Sequence, residues 1–375
     1  LDPDQIDAAI QFGEKQKDLA GEMSLHEALQ LGLGGEEDHN GLPVAGVEMD
    51  DWLTGWLDKL RGDEPLDLLP PPSKLQAEWR PYQQYGYSWL HFARQWGMGV
   101  ILADDMGLGK TIQTLTLIQQ IKDEMGGLPA PVLLVCPTSV VTNWQLESEK
   151  FTPDLSTLVH QGADRLRGEE FVTAARGVDL VLTSYALVRR DGDAIRQLNW
   201  LTVALDEAQN IKNANTQQAR VIRDLSADFR MALTGTPVEN RLSELWSIMH
   251  FLNPGFLGGQ QKFRKQFVLP IEKNGDEAAV QRLRQLTQPF ILRRVKTDPT
   301  VITDLPNKQE VKVYCHLSEE QATLYEAVVQ DALEAIEAQN EDGIARRGMV
   351  LSMLMQLKQV CNHPVQYLHQ GETYN

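Results

Sequence analysis

The sequence of 375 residues lacks several features that would assign it to large classes of protein. It contains no run of 18 apolar residues, which a membrane-spanning helix would need. It begins Leu-Asp-Pro, without a methionine or a basic and apolar leader, so we expect a processed or partial chain without a signal peptide. With 42% hydrophobic and 23% charged residues, we predict a soluble, globular, cytoplasmic protein of two or three domains with no membrane partner.

Cysteine is also scarce. The three cysteines, Cys136, Cys315 and Cys361, match no metal-binding or disulfide spacing, which favours a reducing, intracellular compartment. We predict that all three are buried small apolar side chains without metal or redox chemistry.

Positive charge is in deficit, because the formal net charge is −17, and this deficit first argues against a nucleic-acid partner. The deficit is local, however. Residues 1–75 hold 17 acidic and 5 basic side chains, whereas residues 251–312 hold 11 basic and 6 acidic ones. The chain beyond the N-terminal part can therefore present a cationic face.

Three consecutive prolines in LLPPPSKL (68–75) mark a predicted boundary, because such a run stiffens the chain and separates segments. Five short apolar runs follow: MGVILADD (98–105), PVLLVCPTS (131–139), VDLVLTSY (178–185), LTVALDEAQ (201–209) and FRMALTGTP (229–237). Apolar runs without alternation are typical of strands buried on both faces. Between them, helices are predicted near 111–125, 142–151, 164–176, 216–225 and 242–251.

This alternation predicts a doubly wound α/β fold with a parallel sheet over residues 76–252. Each run ends in a polar or glycine-rich cluster, and ligands of open α/β sheets bind beyond the carboxyl ends of the strands. We therefore expect one ligand site at this edge. After residue 251 the pattern becomes helical, with predicted helices over 260–271, 277–296 and 318–339.

The run ILADDMGLGKT (101–111) ends like the phosphate-loop pattern G-x-x-x-x-G-K-[ST], with Asp104 in place of the first glycine. Gly107 and Gly109 let backbone N–H groups approach phosphate oxygens, and the helix N-terminus that follows favours negative charge. Lys110 is predicted to reach the β- and γ-phosphates, and the Thr111 hydroxyl to ligate Mg²⁺. We expect the Asp104 carboxylate to point away from the phosphates.

Two later clusters supply complementary groups. In VALDEAQN (203–210), Asp206 could hold Mg²⁺, usually through water, and Glu207 could orient or deprotonate the attacking water. In ALTGTPVEN (232–240), the Thr234 and Thr236 hydroxyls flank Gly235. Upstream, RPYQ (80–83) offers the Gln83 amide, which suits an adenine edge.

RPYQ, DDMGLGKT, CPTSVVTNW, LTSY, LDEAQNIKN and LTGTPVENRLSELWSIMHFLNPGF resemble, in this order, the motifs of the Swi/Snf-type ATPases of helicase superfamily two. FRKQF, FILRRVKTD, LPNK and LKQVCNHP resemble that family's helical protrusion and the approach to its second lobe. The resemblance covers roughly residues 75–365. It implies a RecA-like ATP-binding lobe of a P-loop NTPase (76–252), preceded by a small acidic N-terminal region (1–75) and followed by a helical protrusion and linker toward an absent second RecA-like lobe (253–375).

The resemblance also implies roles for individual residues. An acidic residue is common in the family where Asp104 stands. ATP would be held by Gln83, Asp105, Met106, Gly107, Leu108, Gly109, Lys110 and Thr111. Lys110, Asp206 and Glu207 would be catalytic, and Thr111 and Asp206 would hold Mg²⁺. DNA contact and coupling would involve Thr138, Ser139, Asn143, Ser184, Tyr185, Gln209, Thr234, Gly235 and Thr236.

Core packing is an equal interpretation for Trp144 and Tyr185. Gln209 stands where many relatives carry His. The basic stretches around Arg264 and LRRVK (292–296) are candidate contacts of the DNA backbone or solvated helix faces.

The resemblance implies a DNA-dependent ATPase that moves along double-stranded DNA and remodels protein–DNA complexes. We expect a monomer associated with a bacterial nucleoid. The arginines of the second lobe have no counterpart here, and such residues contribute about 10³–10⁵-fold to turnover, so this chain should bind ATP and hydrolyse it poorly. Two alternatives stay open: a strand-separating helicase or restriction-type translocase subunit, and a nucleotide-gated DNA-binding module that does not hydrolyse ATP.

Overall fold

The computed structural model describes residues 29, 32–33, 38–39, 42–43, 50–235, 241–298, 301, 311–337 and 343–368. The predicted site residue Thr236 and the LPNK segment (305–308) lie outside the described residues. The chain divides into two compact units, Leu1–Thr303 and Asp304–Asn375.

The strands of the described chain are β1 (Asp38–His39), β2 (Leu42–Pro43), β3 (Val100–Leu102), β4 (Val132–Cys136), β5 (Thr157–His160), β6 (Leu180–Ser184), β7 (Trp200–Asp206), β8 (Ala227–Leu233) and β9 (Ile291–Leu292). β1 and β2 pair antiparallel. The other seven form one parallel sheet in the order β5-β6-β4-β7-β8-β3-β9. The predicted α/β fold with a parallel sheet is confirmed, and each of the five predicted runs overlaps a strand.

The helices of the first unit whose bounds lie within the described residues are α1 (Asp51–Arg61), α2 (Pro81–Gln95), α3 (Lys110–Met125), α4 (Val141–Phe151), α5 (Gly168–Arg176), α6 (Tyr185–Arg190), α7 (Gly192–Ile195), α8 (Gln217–Arg223), α9 (Leu242–Leu252), α10 (Gln260–Phe263), α11 (Leu269–Asn274) and α12 (Glu277–Thr287). A π-helical turn (Arg264–Val268) joins α10 to α11. Short 3-10 turns span Thr138–Val140, Ala208–Ile211 and Gln288–Phe290.

Two strands of the seven-stranded sheet differ from the sequence prediction. β5 is half-buried at the sheet edge, and its four residues TLVH do not form the continuous apolar run that identified the other strands. The predicted helix over 277–296 is wrong beyond residue 287. Pro289 cannot continue a helix, and after a 3-10 turn the chain enters the sheet as β9 beside β3.

One apolar core joins the helices to the sheet, and it includes the segment before the three prolines. Trp56 and Leu57 of α1 belong to the same buried cluster as the strands. Trp89 of α2 donates its indole N–H to Leu60 O at 3.0 Å. The proline run therefore does not detach α1 from this core, although the domain division at residue 75 stays a prediction.

The start of β3 is fixed by a side chain 154 residues away. Asn253 is 1% exposed, accepts from Gly99 N at 2.9 Å and donates to Gly99 O at 2.8 Å. A Cβ at Gly99 would lie 2.5 Å from Leu252 O, so this close approach requires glycine. The end of α9 and the entry to β3 are consequently held together.

The second unit contains α13 (Glu319–Glu337), α14 (Gly343–Asn362) and α15 (Pro364–Leu368) around the buried residues Val328, Leu357 and Val360. Cys315 and Cys361 are exposed, so the prediction that all three cysteines are buried is wrong for these two. Cys136 is buried, and burial raises its pKa to about 12. No helix in the described ranges is long and apolar enough to cross a membrane.

Candidate nucleotide-binding site

A loop between β3 and α3 forms one side of a cleft at the carboxyl edge of the sheet. Gly107 (φ 81°) and Gly109 (φ 79°) adopt the left-handed conformation, which glycine takes without steric cost. Gly109 precedes the first residue of α3, Lys110, so the loop leads directly into a helix N-terminus. This geometry is the one that phosphate binding requires.

The cleft has a volume of about 650 Å³ and brings together groups from the loop after β3, from α3 and from the end of β7. Of the predicted nucleotide and catalytic residues, those lining it are Gln83, Met106, Gly107, Gly109, Lys110, Thr111, Asp206 and Glu207. Leu108 is instead fully buried. Asp105 accepts from the backbone N–H of Lys296 at 2.9 Å.

The Lys110 ammonium is half-buried and folded back onto the loop. Its Nζ donates to Asp104 O at 2.7 Å and to Asp105 O at 3.5 Å. Burial lowers the pKa of Lys110, and the carboxylates of Asp104, Glu207 and Asp206 oppose that shift. A phosphate ligand in the cleft would therefore meet the partly desolvated Lys110 ammonium. On binding, Lys110 would exchange its hydrogen bonds to backbone carbonyls for hydrogen bonds to phosphate oxygens.

Asp206 ends β7 and is oriented from two sides. Trp144 of α4 donates its indole N–H to Asp206 Oδ2 at 2.8 Å, and the backbone N–H of Glu207 donates to Oδ1 at 2.9 Å. The Tyr185 hydroxyl donates to Asp206 O at 2.7 Å. Burial raises the pKa of Asp206, while the Trp144 hydrogen bond opposes this.

Glu207 is the one non-glycine residue with positive φ in the described chain (φ 52°, ψ 57°). Its carbonyl accepts from Asn210 N at 2.9 Å and from Asn210 Nδ2 at 2.8 Å. A left-handed backbone at a carboxylate costs about 1–3 kcal/mol and is concentrated at functional sites. The strain turns Glu207 into the cleft that Asp206 also lines.

Gln209 connects Glu207 to the neighbouring strand end. Its Nε2 donates to Glu207 Oε2 at 2.7 Å, and its Oε1 accepts from Thr234 Oγ1 at 3.0 Å. Thr234 is fully buried, and a Cβ at the adjacent Gly235 would contact Met106 of the loop. These contacts link three predicted motifs by hydrogen bonds and packing.

The predicted DNA-contacting residues divide into exposed and buried groups. Thr138 and Ser139 are exposed on a 3-10 turn, and the exposed Asn143 lines the nucleotide cleft. Ser184 and Tyr185 are 2% and 4% exposed, and the Ser184 hydroxyl accepts from Leu187 N to cap α6. The side chains of Ser184 and Tyr185 thus support the site from behind, and the DNA contacts of this set stay predictions.

The Gln83 amide has protein partners at both ends. Its Oε1 accepts from Arg80 N at 3.1 Å and its Nε2 donates to Leu108 O at 3.4 Å. A Cβ at Gly109 would overlap Gln83 Nε2, so this amide lies directly against the phosphate loop. Recognition of adenine by Gln83 stays a prediction, and it would require exchange of these hydrogen bonds.

The oxygens lining the cleft fit Mg²⁺ bound together with a polyphosphate. Thr111 and Asp206 both line the cleft and offer one hydroxyl and one carboxylate. Mg²⁺ is typically held by one or two protein oxygens, substrate phosphates and waters. No cluster of three or more His, Cys, Asp or Glu side chains that could hold a metal by themselves occurs in the part of the chain that the structure describes.

Comparison with known proteins identifies the family. Residues 82–366 match the profile of the SNF2-related domain. The chain belongs to the SNF2 family.

Among relatives of this SNF2 chain, YwqA of Bacillus subtilis, named as an ATP-dependent helicase/translocase, is 43% identical over 381 residues. That alignment covers 100% of this chain and 41% of YwqA. The ISWI chromatin-remodeling complex ATPase CHR11 of Arabidopsis thaliana is 36% identical over 326 residues, which cover 86% of this chain and 30% of CHR11. The SNF2 chain thus spans less than half the length of either relative.

The SNF2 chain also resembles a solved structure, the Sulfolobus solfataricus SWI2/SNF2 ATPase core in complex with dsDNA. The TM-score is 0.60 at 42% identity, and the match covers 82% of this chain and 62% of that one. This agreement supports a RecA-like fold for the seven-stranded sheet.

Sequence reasoning missed one buried cluster of this SNF2 chain. LRRVK was interpreted as a DNA contact or a solvated helix face, but the Arg294 side chain is 10% exposed and paired with Asp104. Neither interpretation holds for Arg294. As expected, the Asp104 carboxylate is fully buried and does not line the cleft. An acid at the first loop position was the only sequence signal of this pair.

Proposed function

We propose that this chain is the first motor lobe of an ATP-dependent double-stranded DNA translocase that remodels protein–DNA complexes. The observation that carries the proposal is the cleft in which Lys110 and Thr111 lie with Asp206 and Glu207. The similar Sulfolobus core is in complex with dsDNA, which supports DNA as the partner.

The proposed roles follow from the chemistry of each group. Lys110 and the loop N–H groups bind the phosphates, and Thr111 and Asp206 would hold Mg²⁺. When bound, Mg²⁺ would supply positive charge against the phosphates. Glu207 orients the attacking water and accepts its proton, from a position fixed by the Gln209 amide at 2.7 Å.

The hydrogen bonds that connect Glu207 through Gln209 to Thr234 form the proposed coupling element between nucleotide state and DNA. A glutamine amide donates and accepts at the same time and carries no charge. The link to Thr234 therefore forms without titration between pH 5 and 8, unlike one built on the histidine that many relatives carry.

We also propose that full turnover needs a second RecA-like lobe of the same polypeptide. Arg80, which caps the N-terminus of α2, is the only arginine that lines the cleft among the described residues. A transition-state arginine contributes about 10³–10⁵-fold in related phosphoryl transfer. This chain alone should therefore bind ATP with turnover lower than the full-length protein by a factor of that order. Monomeric state and nucleoid association stay predictions.

The test is ATPase activity of the full-length protein with and without duplex DNA. We expect Lys110→Ala and Glu207→Gln to abolish DNA-stimulated hydrolysis, whereas Lys312→Ala and Glu149→Gln, matched changes at exposed positions, retain it. Stimulated turnover in either site variant would contradict the assigned roles.

A strand-displacement assay separates the alternatives. A translocase displaces the third strand of a triplex without unwinding the duplex. Duplex unwinding would favour the strand-separating helicase, and absence of DNA-stimulated turnover in the full-length protein would favour the non-hydrolysing module.

A further inference from the structure

The charge of Asp104 is neutralised by an arginine from a distant segment. Asp104 is fully buried and directly precedes the phosphate loop, and its Oδ1 accepts from Arg294 Nε at 2.9 Å. Arg294 Nη2 also pairs with Asp104 Oδ2 and donates to Gln113 Oε1 at 2.8 Å. Its Nη1 donates to Tyr82 O, and the guanidinium lies 5.3 Å from the Tyr82 ring centroid.

The backbone around Arg294 continues the pairing of β9 with β3 into the phosphate loop. Ala103 N donates to Leu292 O at 2.7 Å, and Asp105 N donates to Arg294 O at 3.0 Å. Lys296 N then donates to Asp105 Oδ2 at 2.9 Å. Residues 103–105 are therefore held by a segment about 190 positions later in the chain, which directly follows the helices α10 to α12.

Helix α2 closes the cluster from the other side. A Cβ at Gly86 would overlap Gln113 Oε1 and lie 2.5 Å from Arg294 Nη2. Only glycine leaves room for both groups at this point of α2. The guanidinium thus contacts α2, α3 and Asp104, the residue that precedes the phosphate loop.

We propose that Arg294 is a positioning residue for the phosphate loop, which it holds ready for nucleotide by neutralising Asp104 and fixing residues 103–105. The inference rests on the proposed nucleotide site. Lys110 Nζ donates to the carbonyl of this same Asp104 at 2.7 Å. Without the guanidinium, Asp104 would keep a buried charge without its ionic partner, which is strongly unfavourable. The loop residue whose carbonyl contacts Lys110 would then lose the support that holds it in place.

The arrangement also links the nucleotide to the helical region. β9 follows α12 after one 3-10 turn, so displacement of α12 changes the position of Arg294. Because such coupling is reciprocal, bound nucleotide in turn stabilises the docked β9 segment.

The experiment measures the affinity of the full-length protein for a fluorescent non-hydrolysable ATP analogue with Mg²⁺. We expect Arg294→Gln to weaken binding at least about 10-fold, which corresponds to about 1.4 kcal/mol at 25 °C. Asp104→Asn combined with Arg294→Gln should return the affinity to within about 3-fold of wild type, because the uncompensated charge is then absent. Arg293→Gln, at the exposed neighbouring position, is the matched control and should leave affinity unchanged.

Hydrogen exchange of the Ala103 and Asp105 amides gives a second readout. Nucleotide should slow their exchange in wild type, and Arg294→Gln should accelerate it. If Arg294→Gln does not fold, two other variants test the proposal: the double variant, and Gly86→Ala, which displaces the Gln113 amide and the guanidinium with both charges retained.

Wild-type affinity in Arg294→Gln or Gly86→Ala, or an equal loss in the single and double variants, overturns the positioning role and leaves the proposed function intact. Failure of the wild type to bind the analogue overturns both.

Discussion

Replacement of Tyr185 by Phe distinguishes a supporting role from a DNA contact. The hydroxyl donates to Asp206 O at 2.7 Å and lies 3.4 Å from Glu207 O. Burial raises the pKa of Tyr185 well above its usual value, so the phenol stays protonated and remains a donor. Loss of the hydroxyl therefore removes a donor that contacts the backbone carbonyls of both Asp206 and Glu207.

The expected cost follows from these contacts. A buried polar group that loses its partner costs about 1–3 kcal/mol. Glu207 O retains both donors from Asn210, so the cost falls mainly on Asp206. We expect the free energy of unfolding to decrease by about 1–2 kcal/mol. Nucleotide affinity should decrease as well, because the strained backbone of Glu207 loses a contact.

The assays are urea unfolding, nucleotide titration and binding of duplex DNA, each compared with wild type. Tyr314→Phe is the matched control, because the Tyr314 side chain is 85% exposed and the same atom is removed. An unchanged unfolding free energy and nucleotide affinity, together with weaker DNA binding, would refute the supporting role and establish Tyr185 as a DNA contact.

Three further predictions concern other parts of the first unit. Because burial lowers the pKa of Lys110 and phosphate binding uses its protonated form, nucleotide affinity should fall as the pH rises through that lowered pKa; a titration in which Lys110→Ala keeps this alkaline slope would contradict it. Trp144→Phe removes the donor to Asp206 Oδ2 and should raise the Mg²⁺ concentration needed for nucleotide binding about 10-fold. A Mg²⁺ titration measures this shift, and a curve identical to that of wild type would contradict it. Asn253→Ala breaks both buried hydrogen bonds to Gly99 and should lower the free energy of unfolding by at least about 2 kcal/mol. An unchanged midpoint of urea unfolding would show that these two hydrogen bonds do not stabilise the unit.

The sheet was predictable because its central strands are continuous apolar runs that end in polar clusters. Parallel strands bring such clusters to one edge, and this is why Lys110 and Asp206, 96 positions apart, were predicted to share a site. β9 was not predictable in the same way. Two residues carry no periodicity, and the pairing of Ile291 and Leu292 with β3 depends on tertiary contacts.

The side chains that support the acidic residues of the site were also not predictable from the sequence. Trp144 and Tyr185 follow two different strands, and no spacing rule indicates that both donate to Asp206. The resemblance identifies Gln209, but no sequence pattern indicates its hydrogen bonds to Glu207 and Thr234. The exposed positions of Cys315 and Cys361 show that residue type alone does not determine burial.

The late position of β9 in the chain has a consequence for biosynthesis. All motif-bearing strands are complete once β8 has left the ribosome. The edge of β3 and the Asp104 carboxylate stay unpaired, however, until residues 291–294 have been synthesised. An unpaired strand edge invites association with other chains. A shortened protein ending after α9 would keep every nucleotide motif and still carry this exposed edge, so recombinant versions that extend past residue 296 should be the soluble ones.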